Sequence, residues 1–162
     1  ELRQRHIATY KTPAEEQACP GWMQMGFQLY QRLEGFGYQA YPAAGQALQW
    51  LEVYPHACYC ALLGQVPLPK NTFEGRIQRQ LALVEQKVGV PDPMDLFEEI
   101  TRRRLLQGIL PVSELYAPGE LDALAAAYTA WLAASHPDKV TRLGDPAEGV
   151  VIVPAAELKR RY

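Results

Sequence analysis

Two carboxylates and three cations are the residues of this 162-residue chain whose type and setting suit chemistry. Glu52 sits inside the apolar run LQWLEVYP, residues 48–55. An unpaired carboxylate in such a run costs several kcal/mol or takes up a proton, so it needs a partner, a bound cation or water. A salt bridge, or a strand end that reaches solvent, would meet the same need. Asp122 lies near the start of GELDALAAAYTAWLAAS, residues 119–135, an almost wholly apolar helix. With Pro118 as first helical residue, Asp122 falls in the second turn, and helix-end electrostatics are worth only about 0.3–1 kcal/mol. Its own face carries the small residues Ala125, Ala126, Thr129 and Ala133. Such a stripe is expected to let the helix lie close against a sheet and to bring Asp122 near the strands. Two or three convergent carboxylates hold Mg or Mn, which activates water against a phosphodiester. Arg76 and Arg79 are three apart on one helix face with Lys70 just ahead of it. They suit phosphate contacts or, equally, a solvated face.

Other candidates are weaker. His6, His56 and His136 are isolated. His56 follows Pro55 and is close enough in sequence to Glu52 to orient it, while His136 ends a helix, where positive charge is welcome. Neither is assigned to catalysis. No glycine-rich phosphate loop, serine elbow or dinucleotide fingerprint is present. Cys19, Cys58 and Cys60 are odd in number, and Cys58-x-Cys60 is too tight for a zinc knuckle. They read as packing in a reduced, cytoplasmic protein. The net charge of −2 sets up no general attraction for nucleic acid, so phosphate contacts would need a local patch. No apolar run approaches the roughly 20 residues that span a bilayer, and the N-terminus is unlike a signal peptide. Length and composition suit one domain, 1–162.

These residues must be positioned by a small set of elements. Trp22, Met25, Leu29 and Leu33 fall at helical spacing and stop at Gly35. Residues 48–54 alternate as a strand, apolar on both faces, which suits an interior position; residues 38–41 make a weaker strand. HACYCALLG reads as a short helix ended by Gly64. A helix follows from Thr72 as cap to Gly89, its stripe being Phe73, Ile77, Leu81, Val84 and Val88. Another is capped by Asp92 and carries Met94, Phe97, Ile100 and Leu105; its TRRRLL stretch is an exposed basic surface. The helix of Asp122 comes next, then a turn at 144–149 and a strand at 150–153. So few strands cannot hide both faces of 48–54. Further strands are therefore expected upstream of Glu1 or from a second copy, and a start at Glu1 rather than Met is in keeping with a piece of something longer.

The stretches LEVYPHACYCALLG, PLPKNTFEGRIQRQLAL, GELDALAAAYTAWLAA and LGDPAEGVVIVP occur in that order. Together they resemble a bacterial and archaeal family of domains of unknown function regarded as predicted ribonuclease H-like nucleases. Glu52, Lys70, Glu74, Gly75, Arg76, Arg79, Asp122, Glu148 and Gly149 fill the family's motif positions, and the resemblance is firmest from residue 20 onward. It implies an α/β fold: a ribonuclease H-like core lacking its first strands, helix-rich as it stands. It further implies Glu52 and Asp122 as catalytic metal ligands for Mg or Mn, and Lys70, Arg76 and Arg79 as phosphate contacts to nucleic acid. Glu1 falls about where the second half of a family member begins, so the leading aspartate is absent. Many relatives also carry an extra acid ahead of Leu-Asp-Ala-Leu. Glu120 could replace it, although it points about 200° away from Asp122. The expected function is part of a metal-dependent nuclease or phosphodiesterase, inactive in this form. The alternative is a catalytically silent binding or scaffold module of the same fold. No membrane contact is expected, and the exposed sheet edge would favour a homodimer.

Overall fold

The computed structural model describes residues 1–10, 13, 15–110, 112–145 and 149–162. It is α/β and helix-rich, in two compact units: Ala8–Glu52, and Glu1–Ile7 together with Val53–Tyr162.

In the smaller unit, Pro20 precedes helix α1 (Gly21–Gly35). The chain then turns through Gly37, at φ +85°, so that the Tyr38 N–H reaches the Leu33 carbonyl at 3.0 Å. Strands β1 (Gln39–Ala40) and β2 (Gln49–Trp50) pair in parallel. The helix forms where the spacing placed it, and Trp22, Met25 and Leu29 of its apolar stripe are exposed. Tyr30, beside that stripe, is the residue that packs on the strands, its ring 4.7 Å from that of Trp50. The continuous interior strand expected over 48–54 is two short pieces, β2 and β3 (Glu52–Val53), parted at Leu51. An extended chain needs a ladder partner at every step, and β1 supplies one only for Gln49 and Trp50.

In the larger unit, helix α2 (Pro55–Leu63) starts at its proline and stops at Gly64, which adopts φ +68°. It is the centre of the core: Cys58 reaches Thr129 Oγ1 at 3.6 Å on one side and the Ile152 carbonyl at 3.9 Å on the other. The Tyr59 hydroxyl donates to the Leu121 carbonyl at 2.7 Å. Helix α3 (Phe73–Glu85) begins on Thr72, whose hydroxyl accepts from the Gly75 N–H. It ends before Gly89, because Lys87 takes the left-handed conformation at φ +59°. The N–H groups of Lys87 and Val88 then close onto the carbonyls of Val84 and Leu83. The stripe foreseen on α3 is only half-buried; the deepest face is Gly75, Arg79, Gln80, Ala82 and Leu83. Two polar residues reach that depth because main-chain carbonyls occupy them. The Gln80 amide donates to Pro91 and Glu114 at 3.0 and 3.2 Å and accepts from the Tyr116 N–H at 2.9 Å.

The helix expected from Asp92 is broken. Asp92 caps a single turn, Pro93–Asp95, followed by α4 (Leu96–Glu99) and α5 (Arg102–Leu106). Thr101 starts α5 afresh by accepting from the Arg104 N–H. Leu96 is buried, while Met94, Phe97 and Leu105 are exposed.

Helix α6 (Pro118–Ser135) begins at its proline as expected. Its small face is buried, but Thr129 meets the thiol of helix α2 rather than a strand. Strands β4 (Thr141–Asp145) and β5 (Gly149–Val153) form an antiparallel hairpin in a three-stranded sheet of order β3-β5-β4. Strand β4 has no counterpart in the sequence reading. Glu148, in the motif of the connecting turn, lies outside the described residues.

Candidate functional site

In the larger unit the chemistry-bearing side chains gather where α2, the loop before α3, and α6 meet. Lys70 Nζ lies 2.8 Å from Asp122 Oδ2; the two side chains are 51 % and 26 % exposed. Glu120, one residue from Leu121, serves the helix itself. Its carboxylate accepts from the Ala117 N–H at 2.6 Å and closes the start of α6. Asp122 is thus left to the surface, with Oδ2 on Lys70.

Why Lys70 stands there follows from how its loop is fastened to α3. The Pro69 carbonyl accepts from both the Thr72 N–H and its hydroxyl. The Leu68 N–H donates to Gln78 Oε1 at 2.7 Å, and the Leu68 carbonyl accepts from Arg79 Nη1 at 2.6 Å. Gly75 admits this approach, since a Cβ there would stand 1.9 Å from the Pro69 oxygen. Arg79 is buried, gives a second bond to the Gly75 carbonyl at 3.0 Å, and lies 5.3 Å over the Tyr59 ring. Arg76 donates to the carbonyls of Leu115 and Tyr116, the latter at 2.9 Å. Both arginines thus tie α3 to main-chain oxygens, and among the described residues only Lys70 of the three cations meets a carboxylate. Tyr59, which no local pattern singles out, links Arg79 to the turn carrying Asp122.

His56 opens α2 beside this cluster. Burial holds its imidazole below the usual histidine range; the charges of Arg79 and, more weakly, Lys70 add to this, and Asp122 opposes it. Its Nε2 lies 3.9 Å from the Cys60 sulfur. The thiols are no partners for it as bases. Burial pushes Cys58 up to about 12 and Cys60 to about 11, and all three cysteines are free and buried. A depressed histidine has a defined consequence for stability. Above the unfolded-state value near 6.5 the ring is neutral in both states and contributes no pH slope. As pH falls below that value, the unfolded chain takes a proton that the fold resists. Stability should therefore drop between pH 7 and pH 5, and His56→Gln should flatten that part of the curve. Urea unfolding at the two pH values checks it; equal slopes for both proteins would contradict it.

Glu52 belongs to the smaller unit, where it is exposed and takes a hydrogen bond from the Tyr30 hydroxyl. The protein packed around the carboxyl raises its pKa, and that bond opposes the rise. Burial, with the charge and hydrogen bond of Glu52 behind it, pushes Tyr30 up to about 12. The indole N–H of the neighbouring Trp50 is buried with no acceptor among the described residues.

Among the described residues no three His, Cys, Asp or Glu side chains converge as a metal-binding group. Nor, among them, is any helix long and apolar enough to cross a membrane. Comparison with curated proteins and with solved structures finds no match to this chain. The family described as Protein of unknown function (DUF429) matches residues 2–149, and the chain belongs to that family.

Proposed function

We propose that this chain serves a metal-dependent nuclease or phosphodiesterase of ribonuclease H-like fold, with Asp122 as an acid ligand and Lys70 as a phosphate contact. The observation that carries the reading is the surface pair of Lys70 and Asp122, backed by buried Arg79 and flanked by His56. A fold does not need such a concentration of charge; a surface ion pair alone contributes about 0–1 kcal/mol. The donor chemistry fits Mg or Mn in part. Asp122 offers hard carboxylate oxygen, and Mg is commonly held by one or two carboxylates with waters and substrate phosphate. Such an ion supplies a more acidic bound water and neutralises phosphate charge.

The chain's own residues do the rest. Lys70 orients Asp122 through Oδ2 and, half-exposed, offers its ammonium to a phosphate oxygen. Arg76 and Arg79 add positive potential from behind. His56, kept neutral by its surroundings, would serve as the proton acceptor.

The absence of a three-acid cluster among the described residues, and the use of both arginines on main-chain carbonyls, favour the second reading of a silent binding or scaffold module. Calorimetric titration with Mn²⁺ separates the two. Asp122→Asn should weaken binding by about tenfold or more, and Lys70→Ala, which frees Oδ2, should not weaken it. Equal Mn²⁺ response in wild type and Asp122→Asn would leave the silent module standing.

A further inference from the structure

We propose that residues 94–110 form an arm by which two copies of this chain pair antiparallel. Of the described residues between Leu96 and Leu115, none is buried, and α5 buries no residue at all. The arm exposes Met94, Phe97, Leu105, Leu106, Ile109 and Leu110, Leu106 to 81 %. So much exposed apolar side chain on one short segment points to an interface.

The order of charges says what covers it. Asp95, Glu98 and Glu99 precede Arg102, Arg103 and Arg104, so the arm is acidic at one end, basic at the other and neutral in sum. Within the chain only Glu99 and Arg104 pair; Asp95, Glu98, Arg102 and Arg103 make no ion pair among the described residues. A two-fold axis passing between residues 100 and 101 sets Glu98 of each copy opposite Arg103 of the other, with the apolar side chains between them. This is the self-complementary pattern that an isologous dimer requires. An anionic lipid surface would meet three acids, and a peptide of one charge sign would satisfy only one end. The surface is distinct from a sheet edge, and the inference does not depend on the site at Asp122.

Sedimentation velocity over a concentration series tests it. The wild-type chain should dimerise. Glu98→Lys sets like charges together, as does Arg103→Glu, and each should weaken self-association by about tenfold or more. Mixing the two variants, or joining both changes in one chain, restores opposite charges and should restore the dimer. Leu106→Glu should leave a monomer. All these side chains are surface groups, so circular dichroism should match the wild type. A wild-type chain still monomeric at about 100 μM, a dimer indifferent to Glu98→Lys, or a monomer captured by anionic vesicles would each overturn the proposal.

Discussion

Arg79→Ala should lower the stability of the larger unit by about 3 kcal/mol, against the fraction of a kcal/mol expected for a solvated surface arginine. The side chain is 3 % exposed and donates to the Leu68 and Gly75 carbonyls. Alanine leaves the Leu68 oxygen without its donor, strips the charge from above the Tyr59 ring, and opens a void beneath the Lys70 loop. Arg79→Lys should recover only part of the loss, because a compact ammonium on a shorter stem cannot stack over the Tyr59 ring as the planar guanidinium does. Urea unfolding of the three proteins decides the matter. If Arg79→Ala unfolds at the wild-type midpoint, the arginine is not a structural strut, and its place in the motif would have to be explained by ligand contact alone.

The second large effect comes from a single methyl group. Replacing a glycine inside an exposed helix by alanine ordinarily stabilises by about 1 kcal/mol. At Gly75 the sign should reverse. The added Cβ would stand 1.9 Å from the Pro69 oxygen, 2.8 Å from its carbonyl carbon and 3.1 Å from Thr72 Oγ1. The nearest obstacles are main-chain atoms, so no side-chain rotation relieves them. Either α3 moves away or the loop lifts, and in both cases the Thr72 cap is disturbed as well. Overpacking and a lost cap together come to about 3 kcal/mol, a fall in Tm of roughly 6–12 °C for a chain of this size. Either movement parts the Lys70 loop from α3, so the pair with Asp122 should be disturbed too. A thermal melt in which Gly75→Ala matches or exceeds wild type would show that the close approach is not required.

These two residues also show where local pattern is informative. Helix starts were legible at Thr72 and Pro118, which open helices as read, and nearly so at Pro55, one residue ahead of the short helix read from His56. The glycine stop at Gly64 was legible too. The end of α3 was not, because Lys87 assumes the left-handed turn that the sequence offered more naturally to Gly89. Thr101 was a capping signal inside an apparently continuous stripe, and it broke the helix there. Strand β4 carries TRLGD, with glycine and charged residues among its five, and gains its ladder from β5 rather than from its own composition.

At the site, Lys70 and Asp122 stood out by type, but nothing in a separation of 52 residues says that they pair with each other. Arg79 is four residues after Gly75 and four before Leu83, one face of α3. A glycine on that face was the available sign that main chain comes close. The stripe of large apolar residues concealed it, since hydrophobicity does not register a buried arginine held by main-chain carbonyls. Tyr30 and Glu52 meet across a helix and a strand, a contact beyond any short-range periodicity.

The Gln80 amide holds the two ends of the excursion that runs from Pro91 to Tyr116, through its amide nitrogen at two carbonyls and its oxygen at one N–H. Its geometry makes that stretch a cassette with a fixed gate. Once the ends are clamped, the entropy of closing the loop grows only with the logarithm of its length, about 0.6 kcal/mol for each doubling. Selection can therefore lengthen, shorten or rewrite what lies between the clamps at little thermodynamic cost, and so exchange one mode of assembly for another. It has no comparable freedom at residue 80, where even glutamate would leave two carbonyls facing negative charge.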